Sequence, residues 1–144
     1  MIVVAAFAQV AGNEGEDSVM RRAILAVATM LPTMVAPAFA QDASKGEAVF
    51  KRCRACHAIG PAAKNKAGPA LTGIVGKKAA SVSGFNYSDA MKEAAGRGLT
   101  WTEPELTKFL ESPEVAIPNN VMAFPGIKNP ADLKDLVAFL KLHK

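Results

Sequence analysis

The stretch Cys53-Arg54-Ala55-Cys56-His57 decides the fold of this 144-residue chain, because it contains both cysteines and one of the two histidines. Thiols three residues apart on one turn lie on the same side of the chain, so both can bond to a single group. A histidine directly after the second cysteine is then held beneath that group. The spacing C-x-x-C-H is typical of c-type haem attachment, in which the thiols add to two vinyl groups and the histidine ligates the iron.

Three other interpretations of these cysteines were weighed against haem attachment. A thiol–disulfide oxidoreductase using Cys53 and Cys56 needs a βαβ setting, and the sequence shows no strand pattern. A structural disulfide across so short a gap is possible in an exported chain. A zinc site needs four ligands, and the other histidine is His143, at the end of the chain. Haem attachment is favoured because it gives Cys53, Cys56 and His57 a function each.

The sequence on either side of this motif predicts an all-α fold of short helices. Ser44-Lys45-Gly46-Glu47 and Thr102-Glu103-Pro104-Glu105 have the form of capping boxes, and the first is expected to open a helix that runs into the cysteine motif. Ser88 is expected to cap another helix, and Asn129-Pro130 combines a cap with proline at the first helical position. Pro113 is expected to end the third helix.

Between Cys56 and Ser88 the sequence predicts a long loop instead of a helix. Its punctuating residues are Gly60, Pro61, Gly68, Pro69, Gly73, Gly76 and Gly84. So long a loop is unusual in a small domain unless it wraps something other than protein. Short alanine-rich helices also bury little apolar area by themselves, so we expect a cofactor to complete the core.

Haem iron needs a second axial ligand or an open coordination site. Only Met91 and Met122 lie after the export leader described below. Met91 is expected in the middle of a helix, where packing in the core is its ordinary role. Met122 lies in the proline-stiffened, non-helical stretch 117–124 and is the predicted ligand. A His/Met pair raises the reduction potential and closes the coordination sphere, which favours an electron carrier over oxygen or peroxide chemistry.

Residues 1–40 are predicted to be an export leader, which leaves 41–144 as the mature domain. Arg21-Arg22 is followed by a short apolar run and then by Ala38-Phe39-Ala40, which predicts cleavage after Ala40. Residues 1–19 lack a basic start, so the true start of translation is hypothesised to be Met20. Prolines break the apolar run before it reaches the roughly 20 residues of a membrane span, and an uncleaved N-terminal anchor is the alternative.

Residues 44–144 resemble the class I cytochromes c, in their short alphaproteobacterial and mitochondrial-like branch. The stretches that carry the resemblance are CRACH (53–57), GPAL (68–71), GFNYSDAM (84–91), LTWTEPELTKFLESP (99–113), IPNNVMAF (117–124) and DLVAFLK (135–141). The resemblance implies four to five short helices wrapped around one covalently attached haem.

The resemblance also implies the roles of the candidate site residues. Cys53 and Cys56 would form the thioether bonds, and His57 and Met122 would ligate the iron. The Pro69 carbonyl would accept a hydrogen bond from the His57 ring and so orient this ligand. The side chains that would contact a haem propionate are Tyr87, Trp101 and Asn120. On the opposite side of the core, Gly46 and Phe50 would cross Leu136 and Phe139.

Three departures from the family pattern surround the predicted methionine ligand. Phe109 stands where a tyrosine usually donates to the methionine sulfur, and Met91 stands where an asparagine is common. Pro118-Asn119-Asn120-Val121 replaces the usual Pro-Gly-Thr-Lys. The hydrogen-bond network around Met122 is therefore expected to be thinner, and the potential and the ligand exchange are expected to differ from those of typical relatives.

A net charge of +4 with 6% aromatic residues favours an acidic protein surface as partner over a nucleic acid. In a class I cytochrome c fold, Glu114 and Val121 would stand where relatives often have lysine. Six basic side chains would still rim the exposed haem edge: Lys51, Arg52, Arg54, Lys64, Lys66 and Lys128.

Together these features predict a soluble, monomeric, periplasmic single-electron carrier. Its donor would be a quinol–cytochrome c reductase or a dehydrogenase, and its acceptor a terminal oxidase or a photosynthetic reaction centre. The alternative is a haem peroxidase or small-ligand sensor in which Met122 detaches from the iron.

Overall fold

Five helices form the part of the chain that the computed structural model describes, residues 41–144. They are α1 (Ala43–Phe50), α2 (Asp89–Gly96), α3 (Glu103–Glu111), α4 (Pro113–Ala116) and α5 (Pro130–Leu142). The only β pairing in this range is an isolated antiparallel bridge between Lys78 and Thr100, so the predicted all-α class is confirmed. The leader, the start at Met20 and cleavage after Ala40 lie outside the described residues.

Three of the predicted helix caps are confirmed. The Ser88 hydroxyl accepts from the Met91 N–H at the start of α2, and the Thr102 hydroxyl accepts from the Glu105 N–H at the start of α3. The Asn129 amide oxygen accepts from the N–H of Ala131, and Pro130 is the first residue of α5. Each cap satisfies a backbone donor that the helix itself leaves unpaired. None of these helices meets the length and apolarity needed to cross a membrane, and the same holds throughout residues 41–144.

The predicted capping box at Ser44 is wrong. Asp42 caps α1, because its carboxylate accepts from the N–H groups of Ser44 and Lys45 at 3.0 and 3.3 Å. The Ser44 hydroxyl donates to the same carboxylate and lowers the pKa of Asp42. An ionised carboxylate is the stronger acceptor, so the cap moves two residues upstream. The helix also ends at Phe50, before the cysteine motif, and residues 51–56 form hydrogen-bonded turns.

Pro113 has a second role that the sequence interpretation missed. Helix α3 ends at Glu111, as expected for a proline two residues later. The same proline then begins the one-turn helix α4, since its fixed backbone angle suits a first helical position.

The core is built where α1 crosses α5. A Cβ at Gly46 would stand 2.7 Å from Cβ of Phe139 and closer still to the Asp135 carbonyl, so only glycine allows this approach. The Phe50 and Phe139 rings pack with centroids 5.2 Å apart, and Leu136 is fully buried beside them. The predicted crossing of these residues is therefore confirmed.

The predicted long loop is confirmed, and its first part, the His57 loop (residues 57–72), folds back on itself through backbone hydrogen bonds. Gly68 N–H donates to the Cys56 carbonyl at 2.8 Å, and Leu71 N–H donates to the Ala58 carbonyl at 2.9 Å. The Thr72 hydroxyl accepts from the N–H of Gly60 and donates to its carbonyl. These pairs hold the chain after the cysteine motif in one position without a helix or a strand.

The second part of the loop is tied to the chain before α3. Gly76 N–H donates to the Trp101 carbonyl, and Trp101 N–H donates to the Lys77 carbonyl, both at 2.8 Å. Ala79 N–H donates to the Leu99 carbonyl at 2.9 Å. Trp101 is thereby held by its backbone at a defined place in the core.

Candidate haem-binding site

The cysteine motif lies on the turns that continue α1. Cys53 N–H donates to the Phe50 carbonyl at 2.8 Å, and the N–H groups of Cys56 and His57 both donate to the Cys53 carbonyl. The two thiols are free; Cys53 is partly buried and Cys56 is exposed. Burial raises the pKa of the Cys53 thiol. The motif is therefore a compact turn that presents two thiols and a histidine from five consecutive residues.

The ring of His57 is fixed by the backbone of residues 68 and 69. Its Nδ1 lies 2.8 Å from the Pro69 carbonyl oxygen, so the tautomer with a proton on Nδ1 donates this hydrogen bond. A Cβ at Gly68 would stand 2.7 Å from Nδ1 and 2.8 Å from Nε2 of the ring, so the ring packs directly on the glycine. With Nδ1 engaged in this way, Nε2 keeps its lone pair for a metal.

The Met122 segment (residues 117–124) is attached to α3 and α4 on both sides of the methionine. Before it, the Asn120 amide oxygen accepts from the Met122 N–H at 3.0 Å. After it, Ile127 N–H donates to the Leu110 carbonyl at 2.9 Å, at the end of α3. Gly126, at φ +88°, lies against the Glu111 carbonyl. The half-buried Met122 side chain packs against the core between these attachments.

The structure gives Asn120 partners other than a propionate. Its Nδ2 donates to the Ile117 carbonyl at 2.9 Å and to Oε2 of Glu114 at 3.4 Å, while its oxygen accepts from Met122. Both amide hydrogens and the oxygen are thus used by Ile117, Glu114 and Met122. Contact with a propionate, as the resemblance implies, would require one of these hydrogen bonds to break.

Tyr87 and Trp101 each offer an unpaired hydrogen-bond donor. The Tyr87 hydroxyl accepts from the Val82 N–H at 3.2 Å, and burial raises the pKa of this phenol. Trp101 is 7% exposed and packs on Phe109 with ring centroids 5.0 Å apart. Within residues 41–144, neither the Tyr87 hydroxyl hydrogen nor the Trp101 indole N–H is paired with an acceptor. Unpaired donors of this kind suit an anionic ligand such as a carboxylate.

Two features of the site were not found from the sequence. The sequence indicates only a turn at Gly68, whereas in the structure its lack of a side chain admits the His57 ring. The sequence indicates only a lost lysine at Glu114, whereas in the structure its carboxylate is bonded to Asn119 and Asn120. The glycine directly before Pro69 was a usable signal for the first, whereas nothing local in the sequence indicated the second.

The donor set fits a haem bound through this motif. It comprises two thiols, an imidazole Nε2, a thioether and the unpaired donors of Tyr87 and Trp101. Several apolar side chains pack against the core and are still partly exposed: Ile59, Leu71, Val75, Leu99 and Phe124. Partly exposed apolar side chains of this kind are typical of a surface that an apolar ligand covers. No cluster of three or more His, Cys, Asp or Glu side chains able to hold a bare metal ion occurs within residues 41–144.

The six basic side chains predicted to rim the haem edge are all exposed, but most have local partners. Arg54 pairs with Glu47 at 2.9 Å, and the Lys66 ammonium donates to the Arg54 carbonyl. Arg52 lies 4.0 Å from an Asp132 carboxylate oxygen. The Lys128 ammonium donates to the Glu111 carbonyl, whereas Lys51 and Lys64 have no such partner within the described range.

Comparison with known proteins agrees with this arrangement. The Cytochrome c family model matches residues 43–144. Cytochrome c2 of Agrobacterium tumefaciens (strain II Chrys) is 56% identical over 99 residues, which cover 69% of this chain and 89% of that protein. Cytochrome c2 of Blastochloris viridis is 46% identical over 112 residues, which cover 78% of this chain and 86% of that protein.

Solved structures show the same fold. The structure of cytochrome c2 from Rhodospirillum centenum matches with a TM-score of 0.68 and 38% identity, covering 72% of this chain and 98% of the other. Cytochrome cH from Methylobacterium extorquens matches with a TM-score of 0.64 and 41% identity, covering 70% and 98%. Sequence, fold and relatives agree, and the chain therefore belongs to the cytochrome c family, in its class I alphaproteobacterial branch.

Proposed function

We propose that this protein is a periplasmic single-electron carrier whose haem iron is ligated by His57 and Met122. As a member of its family it carries one covalently attached haem c, and it is an electron-transfer protein rather than an enzyme. The observation that carries the proposed ligation is the His57 ring, whose Nδ1 is held by the Pro69 carbonyl directly after the two cysteines.

The haem supplies an iron that gains and loses one electron reversibly. Cys53 and Cys56 would hold it through thioether bonds. The Pro69 carbonyl fixes the tautomer of His57 and raises the basicity of Nε2, and Gly68 keeps the ring from turning. The Met122 thioether is a soft ligand that favours the reduced iron and raises the reduction potential.

The interior side chains would offset the charge that the cofactor brings. The unpaired donors of Tyr87 and Trp101 can hydrogen-bond a carboxylate that leaves water. Ligation by both His57 and Met122 would leave the iron without an open position for peroxide or a small ligand. The peroxidase alternative also disagrees with the family, whose members transfer electrons.

The partners are redox proteins, and we propose a quinol–cytochrome c reductase or a dehydrogenase as donor and a terminal oxidase or photosynthetic reaction centre as acceptor. Exposed Lys51 and Lys64 support docking on an acidic surface. We propose that the protein acts as a monomer after export by the leader 1–40. Translation would begin at Met20, and cleavage would follow Ala40.

The visible spectrum of the oxidised holoprotein tests the ligation. We expect a sulfur-to-iron charge-transfer band in the wild type, its loss in Met122→Leu and its retention in Met91→Leu. These two variants make the same change at the only methionines of the mature domain. A high-spin spectrum of the wild type would contradict the proposal and favour the ligand-sensor alternative.

A further inference from the structure

The backbone that carries Met122 is held by side chains of α4 and of the turn after it. Oε1 of Glu114 accepts from the Asn119 N–H at 3.1 Å, and Oε2 accepts from Nδ2 of Asn120 at 3.4 Å. Asn120 also donates to the Ile117 carbonyl and accepts from the Met122 N–H. We call these four hydrogen bonds the Glu114–Asn120 network. It connects α4 to the backbone of Met122 without any contact to the thioether.

The turn that this network spans needs such support. Asn119 has φ +62°, a left-handed conformation that L residues other than glycine adopt reluctantly and asparagine tolerates best. Helix α4 is a single turn of four residues, too short to be stable by itself. The direction in which the chain leaves α4 therefore depends on the hydrogen bonds that side chains make to it.

Within residues 41–144, no side chain makes a hydrogen bond to the Met122 sulfur. Phe109 packs on Trp101 and has no hydroxyl to offer the Met122 sulfur. Among residues 41–144, both hydrogen bonds of Met122 are made by its backbone, from its N–H to Asn120 and to its carbonyl from the N–H of Phe124. Hydrogen bonds can therefore act on the thioether only through the position of this backbone.

We infer that Glu114 and Asn120 are positioning residues for the methionine ligand, which keep the Met122 backbone where its thioether stays bound to the iron. The inference rests on the proposed ligation by Met122. Hydrogen bonds to an ionised carboxylate are roughly twice as strong as neutral ones, so Glu114 contributes more than its exposed place suggests. The Glu114 carboxylate, which stands where relatives often have lysine, would thereby stabilise the methionine ligand.

Displacement of Met122 by imidazole in the oxidised holoprotein tests the inference. The displacement is measured as loss of the sulfur-to-iron charge-transfer band. Glu114→Gln keeps the size of the side chain but removes one of its two acceptor positions, and we expect displacement about threefold faster. Asn120→Ala removes the bond to Met122 itself, and we expect displacement about tenfold faster. Glu111→Gln removes the same charge at a side chain without partners in residues 41–144, so its rate should equal that of the wild type.

Amide hydrogen exchange supplies a readout that does not depend on the iron. In Glu114→Gln we expect faster exchange of the Asn119 N–H, and in Asn120→Ala faster exchange of the Met122 N–H. The N–H of Ile127, bonded to Leu110, should stay protected in both variants. Unchanged protection of Asn119 and Met122 would overturn the network.

The possible failures are distinguishable. A wild type without the charge-transfer band would overturn ligation by Met122 and this inference with it. A wild type with the band, combined with unchanged imidazole displacement in Glu114→Gln and Asn120→Ala, would overturn only the positioning role.

Discussion

The two proposed iron ligands are held in opposite ways. On the side of His57 the groups that fix the ring belong to the backbone, namely the Pro69 carbonyl and the α-carbon of Gly68, which is buried. On the side of Met122 the bonds to the chain just before the ligand come from the side chains of Asn120 and Glu114, and Glu114 is exposed. The Pro69 carbonyl is present whatever the side chain at that position, whereas the bonds of Asn120 and Glu114 are lost when those side chains are replaced.

The difference assigns a separate property to each ligand. A ring packed against a glycine has one position, so the histidine side should be rigid. A segment held by exposed hydrogen bonds opens more easily, because water competes for every donor and acceptor. We therefore expect disturbances of the protein to release Met122 first and His57 last.

Replacement of Gly68 should break the rigid side and have the largest effect. In Gly68→Ala the new Cβ would lie 2.7 Å from Nδ1 of His57, so the ring must leave its bond to Pro69. We expect a loss of about 3 kcal/mol in the free energy of unfolding of the holoprotein, measured with denaturant.

The matched control for this variant is Gly96→Ala. Gly96 is the last residue of α2, and a Cβ there would meet nothing within 4 Å. Alanine favours a helix over glycine by up to about 1 kcal/mol, so this variant should be neutral or slightly stabilising. Equal stability of Gly68→Ala and the wild type would show that the His57 side is not rigid.

Gly126→Ala tests a backbone attachment on the Met122 side. Gly126 has φ +88°, and a Cβ would lie 2.8 Å from the carbonyl carbon of Glu111. We expect a loss of about 2 kcal/mol in the free energy of unfolding, together with a weaker charge-transfer band.

Gly98→Ala is the control that separates the effect of backbone strain from the effect of close contact at Gly126. Gly98 has a similar φ of +92° but nothing within 4 Å of a Cβ, so only the conformational cost of about 1 kcal/mol applies. Its charge-transfer band should be unchanged. If the two variants gave equal losses, the packing of Gly126 against Glu111 would contribute nothing.

Thr72→Val should loosen the His57 loop without touching the ring. The Thr72 hydroxyl makes two hydrogen bonds to the backbone of Gly60, at 2.9 and 2.7 Å. Loss of both should lower the free energy of unfolding by about 1–2 kcal/mol while the ligand spectrum stays the same. In Thr107→Val, the hydroxyl that is lost bonds only the carbonyl one turn earlier in α3, so a smaller effect is expected.

Alkaline titration of Tyr87, the only tyrosine, gives the smallest expected effect. Burial raises its pKa above the ordinary value of 10.0, because the phenolate is poorly solvated there. Because the pKa is higher in the folded state, the protonated phenol contributes fully to the free energy of unfolding below pH 10. This contribution is lost as the pH rises through the higher, folded-state pKa. The phenolate absorbance of the holoprotein should therefore appear above that pH.

The variant Tyr87→Phe is the control for this titration. It should show neither the phenolate absorbance nor the associated fall in stability at alkaline pH. A midpoint of the wild type at or below the ordinary tyrosine value would contradict burial of the phenol.

Local signals explain which parts of the fold were predictable. Ser88, Thr102 and Asn129 cap helices through bonds to residues two or three positions away, so a short stretch of sequence specifies each. The prediction failed at Ser44, because the Asp42 carboxylate caps the helix two residues earlier and accepts a hydrogen bond from the Ser44 hydroxyl itself. The short helix that begins at Pro113 was missed, because a proline that ends one helix can also begin another.

The sequence by itself determined the all-α class, the long loop and the five-residue motif that presents two thiols and a histidine. Each of these is encoded within a few neighbouring residues. Only the tertiary structure decided what holds the ligands, since the contact of Gly68 with the His57 ring and the bonds of Glu114 join residues that turns bring together. Glu114 reaches Asn119 and Asn120 only because the chain turns between them, and no local sequence pattern specifies that turn. For that reason the Glu114–Asn120 network could not be predicted from the sequence.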